Sequence, residues 1–222
     1  MYQALGETIF DVVYLSFAII TGIILVSKGK STLIKLVGWM TFLLGFGDAF
    51  HLVPRMYALW TNGLEANATA LGIGKLITSI TMTVFYLLLY YIWRIYFKVE
   101  DKKNLTFVMW GLAIIRVALC LFPQNEWLNY QQPLDFGIYR NIPFAFMGIL
   151  IIWIFAIEVK KNEDKIFMHM PLAVILSFGF YLPVVLWGSS VPVLGALMIP
   201  KTLAYVWVIL MGLSLYRQTQ KG

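Results

Sequence analysis

Asp48, His51 and Arg55 stand in the stretch TFLLGFGDAFHLVPR, Thr41 to Arg55, which is otherwise apolar enough to lie in a membrane. A carboxylate and an imidazole are the usual proton relays in such surroundings, and an arginine can hold a carboxylate or phosphate through paired hydrogen bonds. At about 100° per residue, Thr41, Asp48, His51 and Arg55 fall within an arc of roughly 80° on one helical face. Lipid cannot satisfy a polar stripe, so this face must meet protein or water.

Other polar residues repeat the pattern. Lys75, Thr78, Ser79, Tyr86 and Tyr90 share an arc of roughly 120° on a later apolar stretch. Lys201 and Tyr205 are one helical turn apart. Arg116 is isolated in an apolar run, and Arg140-Asn141-Ile142-Pro143 reads as a helix start, where backbone N–H groups are free. Counting about 1.5 Å per residue, Asp48 and Arg116 lie ~9 Å below one end of their helices, with Lys75, Lys201 and Asp11 ~5–8 Å in from the same side. Taken singly, Arg55, Arg140, Lys75 and Lys201 can be read as side chains snorkelling to the interface, Asp11 as a carboxylate favoured near a helix start, and Tyr86 and Tyr90 as packing. Their gathering at one end is not explained that way. The sequence thus predicts a ligand-binding set of Asp48, His51, Arg55, Lys75, Arg116, Arg140, Lys201 and Tyr205 around an outward-facing polar cavity. Asp48 and Arg116, the opposite charges at a shared depth, are expected to form a buried pair beneath it.

The elements that must position these groups follow from composition. Hydrophobic residues make up 60% of the 222 and charged residues 13%, about half the charge of a soluble domain. Apolar runs at 8–27, 33–54, 70–96, 105–122, 140–158, 167–187 and 196–216 each approach the ~20 residues that cross a bilayer. The fold class read here is an all-α integral membrane protein, a seven-transmembrane-helix bundle forming one domain over 1–222, multi-pass in the cell membrane. Lys28, Lys30, Lys35, Arg94, Lys98, Lys102, Lys103, Lys160, Lys161, Lys165, Arg217 and Lys221 all fall on one side, which the positive-inside rule makes cytoplasmic, leaving the N-terminus outside. The first apolar run lacks a basic leader and a small-residue cleavage site, and reads as a retained helix. Trp60, Trp127, Tyr130 and Trp187 suit an aromatic belt on the outer side, where Asn67-Ala68-Thr69 forms a glycosylation sequon. LLGFGDAF in the second run resembles ILSFGFYL in the sixth, and a lysine opens both the third and the seventh, which suggests a 3+1+3 repeat. Pro54 is expected to kink or end the second helix, and Gly45 and Gly47 to let it pack closely.

These features narrow the chemistry. The net charge of +6 is explained by cytoplasmic loops and does not call for nucleic acid. Cys120 is the single cysteine, which excludes an intrachain disulfide, and the two histidines lie near opposite faces, so no His-rich zinc set and no other metal site is expected. A serine-type hydrolase at Ser189 or Ser190 lacks GxSxG, and no catalytic residue is assigned. A lysine in the last of seven helices brings microbial rhodopsins to mind, but Lys201 lies near its helix end with no Asp one turn before it; no chromophore or other cofactor is expected. The surplus of buried positive charge points to an anionic or zwitterionic small molecule. The leading function is a small transporter or binding protein for such a molecule, proton-coupled through Asp48 and His51; an enzyme acting on an outer-leaflet lipid and a seven-helix sensor are the alternatives. Membrane lipids are the other expected partners, and nothing in the sequence sets the oligomeric state.

Overall fold

A computed structural model describes residues 2–188 and 190–220, and every regular element among them is helical. Helix α1 covers Tyr2–Lys28, α2 Thr32–Trp60, the single turn α3 Gly63–Ala66, α4 Ala68–Tyr96, α5 Lys103–Leu121, α6 Leu134–Asn162, α7 Met170–Trp187 and α8 Met198–Thr219. Short 3-10 turns at Pro123–Asn125 and Pro192–Leu197 complete the chain. All but α3 are long and apolar enough to cross a membrane, seven in number. The chain therefore has the architecture of a polytopic helical membrane protein.

Two helix ends depart from the sequence reading. α2 does not end at Pro54 but continues to Trp60. Proline has no N–H to offer Phe50, so that carbonyl is released from the helical ladder. It lies against Gly74 of α4, where a Cβ would overlap it. α6 begins at Leu134 behind Pro133, so Arg140-Asn141-Ile142-Pro143 is not a helix start with free N–H groups; it lies inside the helix, and Pro143 is an interior proline.

The helices close into a ring. α1 packs on α2, α2 on α4, α4 on α5 and α6, α6 on α7 and α7 on α8, and α8 returns to α1 and α2. The close packing expected at Gly45 and Gly47 is present: a Cβ at Gly47 would strike Thr81 of α4, and the Thr78 hydroxyl donates to the Gly47 carbonyl at 3.0 Å. In the middle, Tyr86 meets Phe144 and Phe178 at 4.9 and 5.9 Å between ring centroids, and Phe85 meets Tyr205 at 5.6 Å. Edge-to-face aromatic pairs such as these add ~0.5–1.5 kcal/mol each beyond burial. Outward-facing Phe107, Ile114, Ile149 and Trp153 are exposed, as lipid-facing positions of a bundle must be.

Candidate functional site

The site begins on α1, whose Glu7, Asp11 and Tyr14 recur at helical spacing on the face turned to α2. The Tyr14 hydroxyl donates to Asp48 Oδ2 at 2.7 Å in buried surroundings. One turn beyond His51, Arg55 reaches back to Glu7: Nη2 and Nε each lie 3.0 Å from Oε2. Asp11 sits between these two contacts, 8% exposed and under the field of Glu7, Arg55 and Asp48. Three carboxylates thus come together along one seam, and Arg55 is paired with Glu7 at its rim.

His51 packs against the backbone of Leu71, with Lys75 and Arg55 as charged neighbours, and its buried Nδ1 has no hydrogen-bond partner. The close approach of α4 at Gly74 is what brings Lys75 beside α2. From the opposite wall, Lys201 lies in the field of both Asp48 and Arg116. Its ammonium stands 5.3 Å from the ring centroids of both Tyr181 and Tyr205, within reach of cation–π attraction.

Arg116 is the group that the sequence placed wrongly. No ion pair joins it to Asp48; among the described residues the ion pairs are Arg55–Glu7 and Lys161–Glu158. The reason is topological: α2 packs on α1 and α4, whereas α5 packs on α4 and α6, so the two helices lie on opposite sides of α4. The Arg116 guanidinium instead lies 3.4 Å from the Phe144 ring centroid. The residue is 3% exposed, and its Nε and Nη1 find no hydrogen-bond acceptor. Cys120, Tyr86, Tyr181 and Tyr205 surround it, with no carboxylate among them. The hydroxyls of Tyr86, Tyr205 and Ser177 are neighbours, yet the Tyr86 oxygen is buried without a hydrogen bond of good geometry.

Arg140 belongs to the roof. Its Nη1 donates to Asn125 Oδ1 at 2.7 Å, and its guanidinium lies 4.3 Å from the Trp127 ring centroid. Trp127 is not part of an interfacial belt: it is 9% exposed, and its Nε1 donates to the Cys120 carbonyl at 2.8 Å. Asn125 Nδ2 donates to the carbonyls of Leu119 and Phe122, satisfying acceptors at the end of α5. The connector 122–133 is therefore a folded cap. It presses on α4 at Gly72, where a Cβ would overlap the Trp127 carbonyl.

The cap covers one part of this end of the bundle, and the Arg55–Glu7 pair ties α1 to α2 at the same end. Asp48, Arg116, Lys201 and Tyr205 are buried, whereas His51, Arg55, Lys75 and Arg140 are only partly covered, so the deeper polar groups are shielded and the rim groups reach the surface. Thr41, on the same stripe as Asp48, is fully buried with an unpartnered hydroxyl. Among the described residues no group of three His, Cys, Asp or Glu side chains is placed so as to hold a metal ion. Sequence reasoning did not assign Tyr14, Asn141, Ser177 and Tyr181 to the site; Tyr181 donates to Asn141 Oδ1 at 3.1 Å and so links α7 to α6. The spacing of Glu7, Asp11 and Tyr14 carried a signal for α1, whereas single small polar residues in α6 and α7 carried none. No protein-family model, curated protein or solved structure matches this chain.

Proposed function

We propose that this protein binds a small anionic or zwitterionic molecule within the outer half of the bundle and moves it across the cell membrane, with the N-terminus outside and the C-terminus cytoplasmic. The observation that carries this reading is Arg116, a cation 3% exposed with two nitrogens unpartnered and no carboxylate beside it. An unpaired charge at such depth costs at least ~2.5–3.5 kcal/mol, and an anionic ligand would offset that cost. Among the described residues, Arg55, Lys75, Arg116, Arg140 and Lys201 stand at the same end of the bundle as Glu7, Asp11 and Asp48, an excess of positive charge. The same arrangement suits a zwitterion: an anionic group at Arg116 and Lys201, an ammonium at Asp48 and Tyr14. His51 and Asp48, one turn apart, supply proton-binding groups for coupled movement.

The test has two stages. Anionic and zwitterionic metabolites should raise the thermal midpoint of the purified protein above that seen with neutral analogues, since a ligand at a hundred times its dissociation constant adds roughly 2.7 kcal/mol. Arg116→Gln should lose that response. Proteoliposomes should then accumulate the stabilising compound and do so faster under an inward proton gradient. A broad panel giving no stabilisation would overturn binding; stabilisation without uptake would overturn transport.

A further inference from the structure

At the other end of the bundle, two clefts open on either side of Arg94, in the last turn of α4. One, about 440 Å³, is lined by Arg94, Lys103, Phe107 and Trp110; its neighbour, about 500 Å³, by Arg94, Lys98, Ile95 and Glu100. Arg94 is fixed between them. Its Nε donates to the Val99 carbonyl at 3.1 Å, Nη2 to the Glu100 carbonyl at 2.7 Å and Nη1 to Thr106 Oγ1 at 2.8 Å. A guanidinium has five N–H donors, so two remain for a further acceptor. The connector it holds carries two lysines at positive φ, Lys98 at 53° and Lys102 at 133°. Non-glycine residues keep such conformations only where their surroundings impose them, often at ligand clamps.

We infer that these clefts form one site for the head group of an anionic phospholipid from the leaflet at the lysine-rich end. Arg94, Lys98 and Lys103 against the single Glu100 carboxylate give the clefts net positive charge. The walls are apolar: Phe107 is 80% exposed and Trp110 44%, with the Trp110 Nε1 donating to the Tyr91 hydroxyl at 2.9 Å. A phosphodiester can accept from the two spare Arg94 donors and from both lysines while its acyl chains run along Phe107 and Ile95 into the bilayer. A free phosphate would gain nothing from those walls, and this favours a lipid. The site is separate from the outer-half cluster and does not depend on what that cluster binds.

Trp110 is the reporter for the test. The purified full chain in mixed micelles would be titrated with phosphatidylglycerol or phosphatidylcholine carrying brominated acyl chains, and the Trp110 contribution isolated by difference from Trp110→Phe. Brominated phosphatidylglycerol should quench Trp110 at least about fivefold more effectively than brominated phosphatidylcholine, as expected for one basic side chain near an anionic surface. Lys98→Gln/Lys103→Gln should abolish that preference, and Lys160→Gln/Lys161→Gln should keep it. Equal quenching by the two lipids, a preference that survives Lys98→Gln/Lys103→Gln or disappears equally in Lys160→Gln/Lys161→Gln, or displacement by millimolar inorganic phosphate would each overturn the proposal.

Discussion

The phenol of Tyr14 donates to Asp48 Oδ2 at 2.7 Å, so the carboxylate of the most conspicuous polar stripe is hydrogen-bonded from α1, while Lys201 acts on it through its charge without an ion-pair contact. Hydrogen bonds to charged groups contribute about 1.5–3 kcal/mol. Tyr14→Phe should therefore lower stability by roughly that amount, measured as the detergent unfolding midpoint, while Asp48→Asn/Tyr14→Phe should lose less than the sum of the single changes. Additive losses would show that the bond contributes nothing.

In a Lys201→Gln background, which removes the cation lying in the field of both, Asp48 and Arg116 should behave as independent sites. Contacts of α2 and α5 fall on opposite sides of α4, and separated positions without shared partners add within about 0.3–0.5 kcal/mol. The thermal stabilities of Asp48→Asn, Arg116→Gln and the double variant in that background provide the cycle. Rescue of either single loss by the second substitution would contradict this packing.

Phe144→Leu should cost more than its lost volume alone. The Arg116 guanidinium 3.4 Å from the ring centroid adds a cation–π attraction of up to about 2 kcal/mol when desolvated. Comparing Phe144→Leu in wild-type and Arg116→Gln backgrounds isolates that increment, which should vanish in the second background.

The seven crossings and the lysine-rich connectors were legible because they rest on local quantities: run length, apolarity and the placement of charge. The ionisable residues that gather at the Asp48 end stand out in the sequence as well, since a charged side chain in an apolar run is conspicuous by itself. Their pairing does not. Equal depth suggested Asp48 with Arg116, but depth fixes one coordinate only, and the order of helices around the ring fixes the other. Trp127 was misread for a similar reason, because the belt rule presumes a chain at the interface, whereas the cap folds inward and buries the indole. Pro54 illustrates a third limit: the helix continues past it because Phe50 needs only a place for its carbonyl, and that place is supplied by Gly74 far along the chain.

Two glycines make opposite predictions. Gly74→Ala should destabilise by about 1–3 kcal/mol, because its Cβ would overlap the Phe50 carbonyl and backbone cannot move aside cheaply. Gly111→Ala, in α5 with nothing within 4 Å of the added Cβ, should stabilise by roughly 0.5–1 kcal/mol through helix propensity. Thermal midpoints of the two variants decide the matter; similar shifts would mean that α2 and α4 are not in close contact at Gly74.

Orientation is checked by labelling. In a Cys120→Ser background, cysteines at Asn62 and Asn129 should react with an impermeant maleimide in intact cells, and one at Asn162 should not. The reverse pattern would place the polar cluster at the cytoplasmic side.

The cap over α5 turns the chain's own thiol into a clock. Cys120 is the single cysteine and is fully buried, and its carbonyl is bonded by Asn125 and Trp127 of the cap. A membrane-impermeant thiol reagent supplied from that side can reach the sulfur only during moments when the cap lifts. When reclosing outpaces the chemistry, the labelling rate is the intrinsic thiol rate multiplied by the fraction of time spent open. The unmodified sequence therefore reports how often its cap opens, and any compound that holds the cap shut will reveal itself by slowing that count.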